Sequence, residues 1–401
     1  MPLYLDQLET PAAVVDLDRL ALNLDRMAAY CAVHGLRLRP HVKTHKAPRI
    51  AAEQLRLGAA GLTVATVREA EVMSELTDDL LLAYPLVGAT ALRRFTNIAP
   101  SVRLTVALDS RTAAERLAAA AGEIGRAVHV LVEVDVGMRR TGVAGPAAAC
   151  ELAAFVADQA PLRYDGIAFY PGHVRQATHA QAPAMAGVVR RVEATLEALA
   201  RAGHPADAVS GGSTPAAWRM HEIPGLTEVR PGTYVYNDRV TAAIGACEWD
   251  ACAFTVLTTV VSTSVDGQAV IDAGSKALGR EPMDHTRVDG APPPDAAADR
   301  VAAGGPADAA SPAGGRADGF GALLDRPEVV VSRMSEEHGV LDLSRTAWRP
   351  AVGDLVRVVP NHACVVVHMN DVVYGVRDDV VETRWAVAAR GRVAPDAVPA
   401  W

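Results

Sequence analysis

The amino-acid sequence predicts an α/β fold: a (β/α)₈, TIM-type barrel over residues 17–244, completed by a β-rich domain assembled from residues 1–16 and 245–401. Three observations predict it. Eight short apolar runs lie between residues 36 and 240, separated by polar, Ala/Leu/Arg-rich helical stretches; eight such units in roughly 200 residues match the count and length of a closed barrel. No Gly-x-Gly-x-x-Gly turn follows the first run, which disfavours a doubly wound dinucleotide-binding sheet. Beyond about residue 245 the helical pattern gives way to short strand candidates punctuated by Gly, Pro and Asp.

Residues 10–16 read as a strand, and residues 17–34 as a helix with Leu20, Leu24, Met27 and Cys31 on one face. The barrel strands are expected at 36–42, 62–65, 80–83, 104–108, 128–134, 166–170, 206–209 and 227–230. Strands buried on both faces read in this way, as continuous apolar runs without alternation. Helical stretches between them include 67–75, 111–121 and 187–201. In the second domain, strands are expected at 253–261, 268–272, 328–332, 355–359, 364–369 and 372–376. Residues 288–321, rich in Pro, Ala, Gly and Asp, hold too little apolar surface to fold and read as a disordered surface insertion.

Composition excludes several classes. A chain of 401 residues exceeds the size at which one core keeps growing. Its net charge of −8 and the lack of any Lys/Arg block argue against a nucleic-acid partner. The N-terminus lacks the basic and apolar regions of a signal peptide, and no uncharged apolar stretch is long enough to span a bilayer. Five scattered cysteines suit reduced thiols in a cytoplasm better than a disulfide framework.

In such barrels the chemistry gathers at the C-terminal ends of the strands. Lys43 ends the first strand, Arg140 follows the fifth, and Tyr170-Pro-Gly-His173 ends the sixth. The run Ser210-Gly211-Gly212-Ser213-Thr214 ends the seventh, and Tyr236 follows the eighth. A lysine at a buried strand end is costly unless it is neutral or paired. The Ser/Gly loop offers amides and hydroxyls suited to a phosphate. Each residue alone also fits a bland role: a surface lysine, a solvated arginine, a core tyrosine. Recurrence at five of eight strand ends sets those readings back.

In the second domain, His362-Ala-Cys364 places imidazole and thiol two residues apart, on one face if the segment is a strand. Zinc accepts both ligands, and catalytic zinc leaves a position open for water or substrate. The bland reading makes Cys364 a small core residue and His362 a capped loop histidine.

The chain resembles fold-type III pyridoxal phosphate (PLP) enzymes, specifically D-serine dehydratases and D-threonine aldolases, with alanine racemase a more distant relative. The resemblance rests on nine ordered runs. The first four are Thr10-Pro-Ala-Ala-Val-Val-Asp16, Arg39-Pro-His-Val-Lys-Thr-His-Lys46, Glu133-Val-Asp-Val-Gly-Met-Arg-Arg-Thr-Gly142 and Tyr170-Pro-Gly-His173. Ser210-Gly-Gly-Ser-Thr214, Arg230-Pro-Gly-Thr-Tyr-Val-Tyr236 and Asp272-Ala-Gly-Ser-Lys-Ala277 follow, then Ser335-Glu-Glu-His-Gly339 and Pro360-Asn-His-Ala-Cys364. It covers nearly the whole chain outside the 288–321 insertion.

That resemblance implies an alanine racemase-like architecture with Lys43 as the Schiff-base lysine. Arg140 would lie near the cofactor's phenolic oxygen, while residues 210–214 and Tyr236 would bind its phosphate. Tyr170 would also border the cofactor. His173 would serve as a substrate-side acid/base or as a hydrogen-bond partner of the cofactor, and His41, His45 and Asp272 would support the site or serve structure alone. Within the family, His-x-Cys at 362 and 364 resembles the dehydratases, whereas many aldolases carry aspartate at the second position. The implied activity is metal-dependent dehydration of a D-serine-like 3-hydroxy amino acid to a 2-oxo acid and ammonia. Softness of the thiolate favours zinc over manganese. The alternatives are retro-aldol cleavage to glycine and an aldehyde, racemisation, and a non-catalytic PLP-binding protein. The resemblance also implies a homodimer whose active sites border the partner.

Overall fold

A computed structural model describes residues 2–283 and 319–392 of the chain. Two short strands, β1 (Leu3–Tyr4) and β2 (Ala12–Asp16), come first. The helix Leu17–Val33 follows, its N-terminus capped by the Asp16 carboxylate, which accepts from the amides of Asp18 and Arg19.

Eight strands then alternate with helices: β3 (Arg37–Leu38), β4 (Leu62–Val64), β5 (Asp79–Leu82), β6 (Arg103–Leu108), β7 (Val128–Val134), β8 (Leu162–Phe169), β9 (Ala208–Gly211) and β10 (Glu228–Val229). They pair in parallel in the order β3-β10-β9-β8-β7-β6-β5-β4. A parallel bridge between His41 and Thr63 joins the two ends of this sheet, with Val42 N donating to Thr63 O and Thr63 N donating to Pro40 O, both at 2.9 Å. All eight expected strands are present. The first is shorter than 36–42, because Pro40 has no amide to give a ladder and the chain turns directly afterwards.

The closing seam is locked by charge. Arg39 donates to both Asp79 oxygens at 2.8 and 2.9 Å and to Glu228 Oε2 at 2.9 Å. Its side chain is 6% exposed and that of Glu228 4%, so neither charge can fall back on water.

The second unit is antiparallel. Its strands are β11 (Phe254–Ser262), β12 (Gln268–Ile271), β13 (Gly321–Leu323), β14 (Arg326–Met334), β15 (Gly339–Asp342), β16 (Leu355–Pro360), β17 (Val372–Arg377) and β18 (Val380–Ala386). β11 pairs with both β12 and β16, which closes the ring β11-β12-β15-β14-β13-β16. From β11 the sheet extends through β2, β17 and β18 to β1, so the start of the chain is woven into this unit. Asp272, at the end of β12, accepts from the Thr10 and Thr258 hydroxyls and the Thr259 amide. It ties strands of this sheet together.

Two expectations need correction. Most of the 288–321 insertion lies outside the described residues, but its last residue does not belong to it: Gly321 opens β13, and Phe320 N donates to Val331 O at 2.8 Å. The segment expected as a strand at 364–369 is the helix Ala363–Met369. Its β-branched run suggests a strand. However, Ala363, Val366 and Val367 are the residues it buries, a helical spacing, and Ala363 N is held by the Asp238 carboxylate at 3.2 Å. One continuous apolar core includes Leu24 and Ile50 around the barrel, Phe254 of β11 and Val366 of this helix. Among the described residues no helix is long and apolar enough to cross a membrane.

Replacing Arg39 with Met leaves Glu228 buried without its cation. Chemical denaturation should then show a loss of about 3–5 kcal/mol, the usual cost of breaking a buried ion pair from one side. A loss below about 1 kcal/mol would rank this network with exposed ion pairs.

Candidate active site

Lys43 sits in the turn that follows β3, half-buried, at the C-terminal mouth of the barrel. The chain has three lysines. Lys46 is committed to a buried ion pair with Glu69, and Lys276 lies exposed between Glu336 and Glu337. That leaves Lys43, which has no carboxylate partner among the described residues. Its Nζ lies 5.7 Å from the centroid of the Tyr170 ring, and Arg140 Cζ lies 4.8 Å from the same centroid. Tyr170 is thus a shared platform for two cations.

Arg140 is carried by the loop after β7, which is fixed from within: the Asp135 carboxylate accepts from Gly137 N and Arg139 N, and Asp109 accepts from Gly142 N, each at 2.9 Å. His173 packs against this loop, its Nε2 3.0 Å from where a Cβ on Gly137 would sit. The structure therefore brings Lys43, Arg140, Tyr170 and His173 to one end of the barrel.

The Ser210–Thr214 loop leaves β9 beside them. Ser210 Oγ and Ser213 Oγ are buried and have no hydrogen-bond partner among the described residues, while the equally buried Tyr236 hydroxyl faces the Trp385 side chain. Thr214 is used differently: its Oγ1 accepts from Tyr234 N at 3.2 Å, tying the loop to the segment that carries Tyr236. Gly211 has no room for a side chain, since a Cβ would overlap the Phe169 ring, and Gly212 takes a φ of +119° that favours glycine. Leaving the two serine hydroxyls unpaired costs about 1–3 kcal/mol apiece. A ligand rich in acceptor oxygens removes that cost, so the loop fits a phosphate monoester such as that of PLP.

Two imidazoles flank Lys43 in the same turn, His45 fully buried and His41 partly so. Burial, reinforced by Lys43 and Arg230, holds His41 well below the ordinary histidine range, and burial brings His45 down to about 3. Both are neutral hydrogen-bonding groups at neutral pH. Sequence reasoning did not single out Arg230, which is buried, donates to Phe169 O at 2.8 Å and Ser210 O at 3.3 Å, and faces the charge of Glu133. Its place in the Arg-Pro-Gly run just past β10 was the available signal.

His362 and Cys364 do converge, but not as strand neighbours. His362 is the extended N-cap residue of the helix Ala363–Met369, and Cys364 lies in its first turn. The change from strand to helix between them, rather than a pleat, turns both side chains to one place, near enough for each to shift the other's charge. His362 Nδ1 lies 3.0 Å from Asp238 Oδ2, and Thr44 Oγ1 lies 3.2 Å from Cys364 Sγ. The Cys364 thiolate, opposed by burial and helped by Asp238, pushes His362 up to about 11. Burial would raise the Cys364 thiol, but His362, Lys43 and Thr44 outweigh it and bring it down to about 7. Such a pair presents a thiolate and, once a metal displaces its proton, an imidazole nitrogen. Among the described residues no third His, Cys, Asp or Glu joins them in a metal-binding group, so the pair fits an open site completed by water or substrate.

These features can be set beside known proteins. The family described as "Alanine racemase, N-terminal domain" matches residues 15–240, and the "Putative serine dehydratase domain" matches residues 253–376. A D-threo-3-hydroxyaspartate dehydratase from Delftia sp. (strain HT23) is 34% identical over 380 residues, covering 89% of this chain and 91% of the relative. The crystal structure of D-threonine aldolase from Filomicrobium marinum superposes with a TM-score of 0.82 at 30% identity, covering 97% of this chain and 98% of the other. A D-threo-3-hydroxyaspartate dehydratase with a cysteine-to-alanine mutation, solved in the metal-free form, superposes with a TM-score of 0.78 at 30% identity, covering 98% of this chain and 99% of the other. Barrel, β unit and both family matches agree: the chain belongs to the alanine racemase-like family of fold-type III enzymes that includes these dehydratases and aldolases.

Proposed function

We propose that the chain is a PLP- and metal-dependent lyase that dehydrates D-3-hydroxy-α-amino acids to a 2-oxo acid and ammonia. One observation carries the reading: Thr44, adjacent to Lys43, contacts Cys364 Sγ, so the cofactor lysine and the metal pair border one space. Residues 17–244 would form the PLP-binding unit, with 1–16 and 245–401 supplying the metal pair.

When bound, PLP supplies an electron sink for the Cα carbanion, and the metal on His362 and Cys364 supplies Lewis-acid polarisation of a hydroxyl; the thiolate favours zinc. The protein's part is positional and protonic. Ser210, Ser213 and Tyr236 would donate to the phosphate, with amides of Gly211, Gly212 and Thr214 completing the cradle. Arg140 and Tyr170, stacked on each other, would hold the ring end, the guanidinium supplying positive charge there. Lys43 Nζ, at the barrel mouth, is the side chain placed to take or return a proton at the substrate Cα. His173 stands at the substrate side, able to hold or return a proton. All five cysteines are unpaired, which fits a reducing cytoplasm. We also expect a homodimer.

Three outcomes follow. Incubation with D-threo-3-hydroxyaspartate, D-serine or D-threonine, with PLP and zinc, should release ammonia and a 2-oxo acid. Glycine with an aldehyde would instead establish the aldolase chemistry, and the L-enantiomer a racemase. Exhaustive chelation should abolish product while leaving the absorbance band of lysine-bound PLP; full activity in metal-free protein would remove the metal from the reaction. Ser213→Ala should weaken PLP binding about tenfold, the worth of one hydrogen bond to a charged group, yet leave the PLP-free protein no less stable, because it deletes an unpaired hydroxyl. A drop in PLP-free stability with unchanged PLP affinity would show that Ser213 serves the fold.

A further inference from the structure

Asp238 is the buried carboxylate nearest the metal pair that the proposed chemistry does not use. It lies just past the barrel's last strand, and its side chain is 1% exposed. Its two oxygens face different elements. Oδ1 accepts from the Thr241 amide and hydroxyl at 2.9 Å, capping the short helix Arg239–Ala243. Oδ2 reaches across to the other unit, lying 3.0 Å from His362 Nδ1 and accepting from Ala363 N at 3.2 Å.

Helix capping alone explains Oδ1 but not Oδ2. A carboxylate is acceptor-only, so the imidazole nitrogen facing it must carry a proton. With the proton on Nδ1, the lone pair of a neutral His362 is on Nε2, the nitrogen left to a metal. Ligating histidines are commonly held in this manner, with the outer nitrogen bonded to a carboxylate that fixes tautomer and ring orientation. The same oxygen anchors the amide that starts the helix bearing Cys364. One buried carboxylate thus sets the direction of the first ligand and the placement of the second.

We propose that Asp238 is a positioning residue for the metal site, holding His362 with Nε2 as the metal-facing nitrogen and fixing the turn that brings Cys364 beside it. This rests on the reading of His362 and Cys364 as metal ligands. Asparagine at 238 can still cap the helix through its oxygen, but it then turns an NH₂ donor toward His362. That donor favours the tautomer with the proton on Nε2, which blocks ligation. Serine at 238 also caps a helix well but cannot reach both partners.

The test is zinc affinity of the PLP-loaded protein, measured by competition with a fluorescent chelator, for the native chain and for Asp238→Asn, Asp238→Ser, Thr241→Val and His362→Ala. Asp238→Asn and Asp238→Ser should bind zinc about 10–100-fold more weakly, with the absorbance band of lysine-bound PLP intact. Thr241→Val, which removes only the capping hydroxyl, should lower the melting temperature and keep native zinc affinity. Zinc affinity within about threefold of native in a folded Asp238 variant would overturn the proposal, as would equal weakening in Thr241→Val. If His362→Ala binds zinc as the native chain does, the metal assignment itself fails and the proposal falls with it, a result distinguishable from a failure of Asp238 alone.

Discussion

The contact between Thr44 Oγ1 and Cys364 Sγ, 3.2 Å long, is where the barrel and the antiparallel unit meet in one site. Everything that locates it lies elsewhere. On the barrel side, Thr44 belongs to the turn after β3, and that turn is placed by the closure of the ring at His41 and Thr63 and by the Arg39 charge lock beneath it. Gly232 presses on the same turn: a Cβ there would stand 2.9 Å from Thr44 Oγ1. On the other side, Cys364 is placed by a helix whose start is bonded to Asp238, a residue of the chain just leaving the barrel. At the opposite end of the sequence β2 pairs with β11 and β17 in the antiparallel unit and runs straight into the helix Leu17–Val33, whose buried face joins the common core.

The electrostatics around that junction are one-sided. Lys43, Arg140 and Arg230 gather at the barrel mouth, and two imidazoles stay neutral beside them: burial disfavours the charged form of both, with Lys43 and Arg230 adding to it at His41 and Lys46 at His45. Lysine without a carboxylate partner, buried hydroxyls without acceptors and an acidified thiol form a protein-only arrangement with unmet bonding. An anionic phosphate, an aromatic aldehyde and a divalent metal satisfy those demands together, which is why PLP with a metal accounts for the site better than either does alone.

The fold was largely legible in the sequence because buried parallel strands announce themselves as apolar runs, and all eight were found. Short strands bounded by low-complexity residues were harder, as with Gly321–Leu323, since three residues carry too little pattern to stand out from their flank. The helix Ala363–Met369 was misread because a seven-residue apolar segment does not by itself distinguish a helix from a strand. Its capping partner, Asp238, is 125 residues away in the chain. Motifs marked the residues that the structure gathers at the barrel mouth, Lys43, Arg140, Tyr170 and His173 among them. Asp238 and Arg230 were not marked, because their burial and their contacts join elements distant in sequence, which no local pattern records.

The most direct test of a PLP enzyme built on Lys43 is borohydride reduction of the PLP-loaded protein, followed by mass mapping of its peptides. With three lysines in the chain, the answer is unambiguous. A pyridoxyl group fixed to Lys43, and absent from Lys46 and Lys276, is the predicted result. Modification of Lys46 or Lys276 in its place, or no stable attachment to any lysine, would contradict the assignment and the chemistry built on it.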